Sequence, residues 1–191
     1  MLFRSEPYAL RWTARLGPGC PVNLSAVTMS PHVGAHADAP LHYADDAPAI
    51  DAVDLHAYLG PCRVIHAIGC GPLITIDHLR HAAAGLPPRV LVRTCERADT
   101  VWNPAFSAYA PETLAWLADQ GVRLVGIDTP SVDPGDSKTL DAHQVLRQRD
   151  LRVLENLVLD AVPAGDYELI ALPLKLAGAC ASPVRAVLRS L

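Results

Sequence analysis

The chain has 191 residues, half of them hydrophobic, with 16 Lys+Arg against 20 Asp+Glu and a net charge of -4. That length can close one substantial core and no compositional shift divides it, so a single domain over residues 1–191 is expected. The acidic balance offers no basic footprint for nucleic acid, and no apolar run reaches membrane-spanning length. The start, Met1-Leu2-Phe3-Arg4-Ser5-Glu6-Pro7, lacks a basic segment followed by an apolar run of signal-peptide length, which points to the cytoplasm. Five cysteines (Cys20, Cys62, Cys70, Cys95 and Cys180) form no C-x-x-C pair and read as reduced, mostly buried small residues.

In chain order, alternation over residues 22–29 predicts a strand that leads into a second alternating stretch, 32–42. Residues 63–68, 90–94, 124–127 and 167–172 read as further short apolar strands. Asp77 is placed as the cap of a helix over 78–84 that stops at Gly85. Pro111-Glu112 opens a second helix, running to Gln120 and ended by Gly121, and a third covers 141–149. Gly- and Pro-rich joints at 69–72, 85–88, 130–135 and 163–165 are turns between elements. Short strands mixed with helices, without steady alternation, favour an α+β domain.

The stretch Pro31-His32-Val33-Gly34-Ala35-His36-Ala37-Asp38-Ala39-Pro40-Leu41-His42 carries the chemistry. An extended backbone would point His32, His36, Asp38 and His42 to one side and Val33, Ala35, Ala37 and Leu41 to the other. A straight strand would hold His32 and His36 about 13 Å apart, too far to share an ion, so the backbone must bend. Gly34 is placed to take that bend, and Pro40 to break the ladder and turn His42 over the site. Gly34 and Pro40 also weigh against a helical H-x-x-x-H site. A single histidine is more often a structural side chain, but three with an Asp on one face indicate a metal. Imidazoles and a carboxylate suit zinc and also accommodate manganese or iron.

Farther along, Gly126-Ile127-Asp128-Thr129-Pro130-Ser131-Val132-Asp133 leads to Asp141-Ala142-His143 and then to Glu155-Asn156-Leu157. Taken alone, His143 and Glu155 read as exposed helix residues, and Asp128, Ser131 and Asp133 as turn and capping residues. His56, His66, His78 and His81 read as ordinary surface or packing residues.

Together, H-x-G-x-H-x-D-x-P, G-I-D-T-P-S-x-D, a later His and an E-N-L segment resemble the metal-dependent cyclase family, and within it the bacterial kynurenine formamidase branch. The resemblance runs from about Ser5 to the C-terminus. It includes Gly165-Asp166-Tyr167-Glu168-Leu169-Ile170-Ala171-Leu172-Pro173-Leu174-Lys175 and Ser182-Pro183-Val184-Arg185-Ala186. It implies a swivelling β/β/α domain with a mixed sheet or barrel-like core and flanking helices, found as a homodimer. It also implies two zinc ions per subunit: His32, His36 and Asp38 on one, Asp38, His143 and Glu155 on the other, with Asp38 bridging. His42 would be the acid–base histidine. The implied activity is hydrolysis of a small aryl formamide, N-formyl-L-kynurenine, to L-kynurenine and formate in tryptophan degradation. Alternatives are hydrolysis of another cyclic or aryl amide such as isatin, and a non-catalytic metal- or ligand-binding protein that keeps the scaffold.

Two features depart from the family pattern. Family members begin with about twenty further residues carrying a W-D-I-S-like strand and a W-P-G-D-T-P-like loop, and this chain enters near the end of that loop at Ser5-Glu6-Pro7. Cys180 stands where the family's L-D-A-S-P-V-R segment carries Asp.

Overall fold

The computed structural model describes residues 6–191; the readings of residues 1–5, including Ser5 where the resemblance begins, lie outside them. A hairpin of β1 (Ala9–Ala14) and β2 (Leu24–Thr28) precedes the short β3 (His36–Asp38), the long β4 (Leu59–His66) and β5 (Leu73–Ile74). After α1 (Ile76–Leu79) come β6 (Arg89–Arg93), β7 (Ala108–Tyr109), α2 (Pro111–Asp119), β8 (Leu124–Ile127) and α3 (Asp141–Arg149). Strands β9 (Arg152–Glu155), β10 (Gly165–Ile170), β11 (Ala181–Pro183) and β12 (Val187–Ser190) follow. Eight strands form one mixed sheet in the order β11-β3-β9-β8-β6-β4-β10-β12. It is parallel from β9 to β4 and antiparallel on both flanks, the α+β arrangement expected from the sequence.

The central strands are apolar at consecutive positions because both faces of the sheet are covered. In β6, Val90 and Val92 enter one core and Leu91 the other. Val125 and Ile127 face the first core in β8 while Leu124 faces the second, and in β9 Val153 and Leu154 divide the same way. Leu114 and Leu117 of α2, with Ala142 and Leu146 of α3, cover the first face. Fully burying each such Val or Leu contributes about 1.5–3 kcal/mol. Gly126 lies on the second face, where a Cβ would sit 2.8 Å from Leu157 Cδ1; its missing side chain lets Leu157 pack down on the sheet.

His143 and Glu155, which taken alone read as exposed helix residues, are both buried, and Glu155 ends strand β9; two further elements differ from the sequence expectation. The first helix starts earlier, because the Thr75 amide donates to His78 Nδ1 at 3.0 Å and fixes the helix start there. Asp77 therefore lies inside the first turn, where it pairs with Arg80 instead of capping. The second concerns residues 32–42, which do not form one strand: only His36–Asp38 is extended. Gly34 takes a φ of +62°, a conformation open to glycine at little cost, and Pro40–His42 form a short 3-10 turn. The expected bend and ladder break are both present; the continuous strand is not.

Candidate metal centre

Register brings the polar side chains together. Strand β3 lies between β11 and β9, with His36 directly opposite Glu155 and Asp38 opposite Val153. Cross-strand partners share a face, and so do residues two apart on one strand. Val153 belongs to the core beneath α3, so His36, Asp38 and Glu155 point into that same layer. The first turn of α3 contributes His143 from above. The turn through Gly34 returns His32 to the group, and the 3-10 turn after Pro40 delivers His42.

Asp38 is the centre of the cluster and is fully buried. Its Oδ1 lies 2.9 Å from His32 Nδ1 and 3.4 Å from His36 Nε2. Its Oδ2 lies 3.4 Å from His143 Nε2 and 4.0 Å from His42 Nε2. Glu155 spans the two halves, with Oε2 3.4 Å from His36 Nε2 and Oε1 3.8 Å from His143 Nε2. Donor atoms of His32, His36 and Asp38 fall within 4.8 Å of one another, as do those of Asp38, His42 and His143. The structure thus brings together all six residues singled out in the sequence. It leaves His42 near enough to Asp38 and His143 to serve either as a ligand or as a free imidazole.

Two hydrogen bonds determine which nitrogens face inward. His36 Nδ1 donates to the Gly34 carbonyl at 2.9 Å, and His143 Nδ1 donates to Asp133 Oδ2 at 2.6 Å. In each neutral ring the Nε2 lone pair is then turned toward carboxylates. Both Nε2 atoms and both Asp38 oxygens are buried without a hydrogen-bond partner. Acceptors facing acceptors in a buried site call for positive charge between them, supplied by a metal ion or by protons on the imidazoles. Burial opposes charge on His36, but the Asp38 and Glu155 carboxylates, each 3.4 Å from its Nε2, outweigh burial and raise its pKa to about 10. His143 is likewise opposed by burial and raised to about 10 by Asp133 and Asp38. Asp38 shows the converse: burial would raise its pKa, yet the surrounding imidazoles hold it well below the carboxylate range. These residues fit a metal ion.

Asp133, read from the sequence only as a turn or capping residue, does more. Its Oδ1 accepts from the Ala142 amide at 2.8 Å and its Oδ2 from the His143 amide at 3.0 Å, so it caps α3 while orienting the His143 ring. A carboxylate behind a metal-binding imidazole fixes its tautomer and raises its basicity. Asp133→Asn is expected to weaken metal binding about 10- to 100-fold, read by zinc titration against a chelator indicator, with little change in helix content. Ser131 behaves as a turn residue, its Oγ accepting from the Asp133 amide, whereas Asp128 does not: it is buried and ties the end of β8 to the segment after β6 by accepting from the Thr94 and Cys95 amides. Cys180 Sγ lies 3.3 Å from His32 Nε2, so the departure from the family pattern falls directly behind a site histidine. The remaining histidines stand apart; His66 Nε2, for example, donates to the Val162 carbonyl.

The Cyclase family model matches residues 4–134 of the chain. A protein of Bordetella petrii named kynurenine formamidase is 66% identical over 186 residues, covering 97% of this chain and 89% of that protein. A solved structure described as a potential metal-dependent hydrolase with cyclase activity superposes with a TM-score of 0.80 at 27% identity, covering 96% of this chain and 94% of the other. Isatin hydrolase A from Labrenzia aggregata, bound to benzyl benzoate, superposes with a TM-score of 0.82 at 22% identity over 97% of this chain and 84% of its own, a likeness of fold.

Proposed function

The chain belongs to the Cyclase family, and on that premise we propose that it is a zinc-dependent arylformamidase hydrolysing N-formyl-L-kynurenine to L-kynurenine and formate in tryptophan degradation. The observation that carries this reading is the 66% identity to a kynurenine formamidase across nearly the whole chain. The buried His/Asp/Glu cluster supplies chemistry to match it. At 22% identity, the likeness to isatin hydrolase does not favour isatin as the substrate.

In this reading His32, His36 and Asp38 would hold one zinc ion, and Asp38, His143 and Glu155 a second; manganese also suits the donors. When bound, such ions polarise a carbonyl oxygen and lower the pKa of water from 15.7 to about 7. The chain's own part begins with the resting charge of the pocket. Burial lowers the pKa of His42 and so favours its neutral imidazole, the form able to take a proton from the attacking water. As water adds to the formyl carbon and the C–N bond breaks, the same imidazole returns the proton to the arylamine nitrogen, which leaves poorly until protonated. Asp133 holds the His143 ring in place meanwhile, and Gly34 holds His36 through its carbonyl.

We read residues 1–191 as one hydrolase domain that assembles as a homodimer in the cytoplasm. The five free thiols are compatible with a reducing compartment. Among the described residues, no helix is long and apolar enough to cross a membrane. Among the described residues the β1–β2 ribbon pairs only with itself, and it exposes Leu10, Trp12, Leu24 and Val27. Isolated two-stranded ribbons are marginal, and an apolar patch of this kind calls for a partner, here a second copy. Sedimentation equilibrium is expected to return twice the 20.4 kDa chain mass.

The test of the activity is to incubate zinc-loaded protein with N-formyl-L-kynurenine and, in parallel, with isatin. Release of formate and L-kynurenine, with a far lower rate on isatin, is expected. Preferential opening of isatin would contradict the formamidase reading, and no turnover of either would favour a binding protein.

A further inference from the structure

Beside the metal cluster lies a cavity of about 630 Å³, within the range that encloses small ligands. It reaches the cluster at His32, whose ring lies tilted against that of His42 with centroids 4.2 Å apart; His42 itself does not line it. The rest of its wall comes from the loop that follows β6 and from residues 156–158 after β9. Two features of this wall have no structural explanation within the described residues.

The first is apolar exposure. Val101 is 77% exposed, Val158 70% and Trp102 38%, and all three line this cavity. Trp102 meets Phe106 edge to face with centroids 5.9 Å apart, and Phe106 lines the cavity as well. Apolar side chains gathered around a concave polar site indicate a ligand with a flat apolar body.

The second is Arg97, the one Arg or Lys among the described residues lining the cavity. It is exposed and takes part in none of the ion pairs formed among the described residues. Nearby carboxylates are committed elsewhere: Asp128 accepts from Thr94 and Cys95, and Asp160 from the Ala98 amide. Two residues along, Asp99 also lines the cavity and accepts from Asn103 Nδ2 at 3.0 Å. A cation and an anion so placed match the two ends of an α-amino acid, while the apolar wall matches an aromatic ring.

Resting on the formamidase reading, we propose that Arg97 is a specificity-determining residue that binds the α-carboxylate of the substrate while its aryl ring packs on the Val101, Trp102, Phe106 and Val158 wall. The guanidinium suits a carboxylate because its donors can engage both oxygens at once. The site therefore selects aryl formamides that carry an amino-acid arm over those that lack one.

The experiment compares N-formyl-L-kynurenine with 2-formamidoacetophenone, which keeps the ring, ketone and formamide but has no amino-acid arm. Steady-state constants are measured for both substrates with the wild type, Arg97→Gln and Arg97→Lys, all zinc-loaded. For Arg97→Gln, the ratio of kcat/KM for N-formyl-L-kynurenine to that for 2-formamidoacetophenone is expected to fall on the order of 10- to 100-fold, through KM, the loss typical of one charged hydrogen-bonded contact. Arg97→Lys is expected to retain part of the preference. A wild type active on both substrates, with an unchanged ratio in Arg97→Gln, would overturn the role of Arg97 and leave the formamidase reading standing. A wild type that hydrolyses neither would overturn both.

Discussion

Replacing Asp38 with alanine is expected to remove metal from both halves of the centre at once. Its two oxygens point apart, Oδ1 toward His32 and His36 and Oδ2 toward His143 and His42, so its loss strips both halves of a carboxylate. The remaining imidazoles would share Glu155 alone, whose Oε1 already accepts from the Val132 amide at 2.8 Å. Metal analysis after gel filtration is expected to show less than half an ion per subunit, against two in the parent protein. The activity on N-formyl-L-kynurenine is expected to fall on the order of 10³-fold or more, because metal ions supply several kcal/mol of transition-state stabilisation and each 1.36 kcal/mol is a factor of ten. Near-ultraviolet circular dichroism separates this from unfolding. An Asp38→Ala protein that keeps both ions would show that the carboxylate is not shared.

His42→Ala is expected to behave in the opposite way, keeping two ions while losing turnover. Its side chain is one-third exposed, unlike the enclosed rings of His36 and His143, and its Nε2 stands 4.0 Å from Asp38, farther than His143 Nε2 at 3.4 Å. A lost general acid–base group costs typically 10²- to 10⁴-fold in rate. The expected result is a drop in kcat of that order, with the zinc content unchanged and partial recovery on adding imidazole. If His42→Ala instead loses one ion and recovers activity when zinc is raised, His42 is a ligand, as its grouping with Asp38 and His143 within 4.8 Å permits.

The sheet centre and four of the six site residues were legible for one physical reason: both are written in local periodicity. Residues 90–94 and 124–127 read as strands because their two buried faces demand an unbroken apolar run. Helix α3 was legible to the residue, Asp141–Arg149. His32, His36, Asp38 and His42 were legible because one short segment carries them all, although turns at Gly34 and Pro40, and not a single strand, bring them together. Glu155 was not legible without the family resemblance. It ends a four-residue strand, Arg152–Glu155, too short and too polar at its ends to reveal its alternation, and only the pairing with β3 places it opposite His36. Asp133 was hidden for a similar reason: its bonds to Ala142 and His143 cross a loop whose return path has no periodic signal. Cys180 was visible as a departure, but its place behind His32 required the pairing of β11 with β3.

The most direct test of a metal-dependent centre built on Asp38 is to strip the purified protein with a chelator, remove the chelator, and titrate zinc back while following formate release from N-formyl-L-kynurenine. Activity abolished by stripping and restored in full at two equivalents of zinc per subunit is the expected result. Undiminished turnover by the stripped protein, or full activity at no added metal, would contradict it.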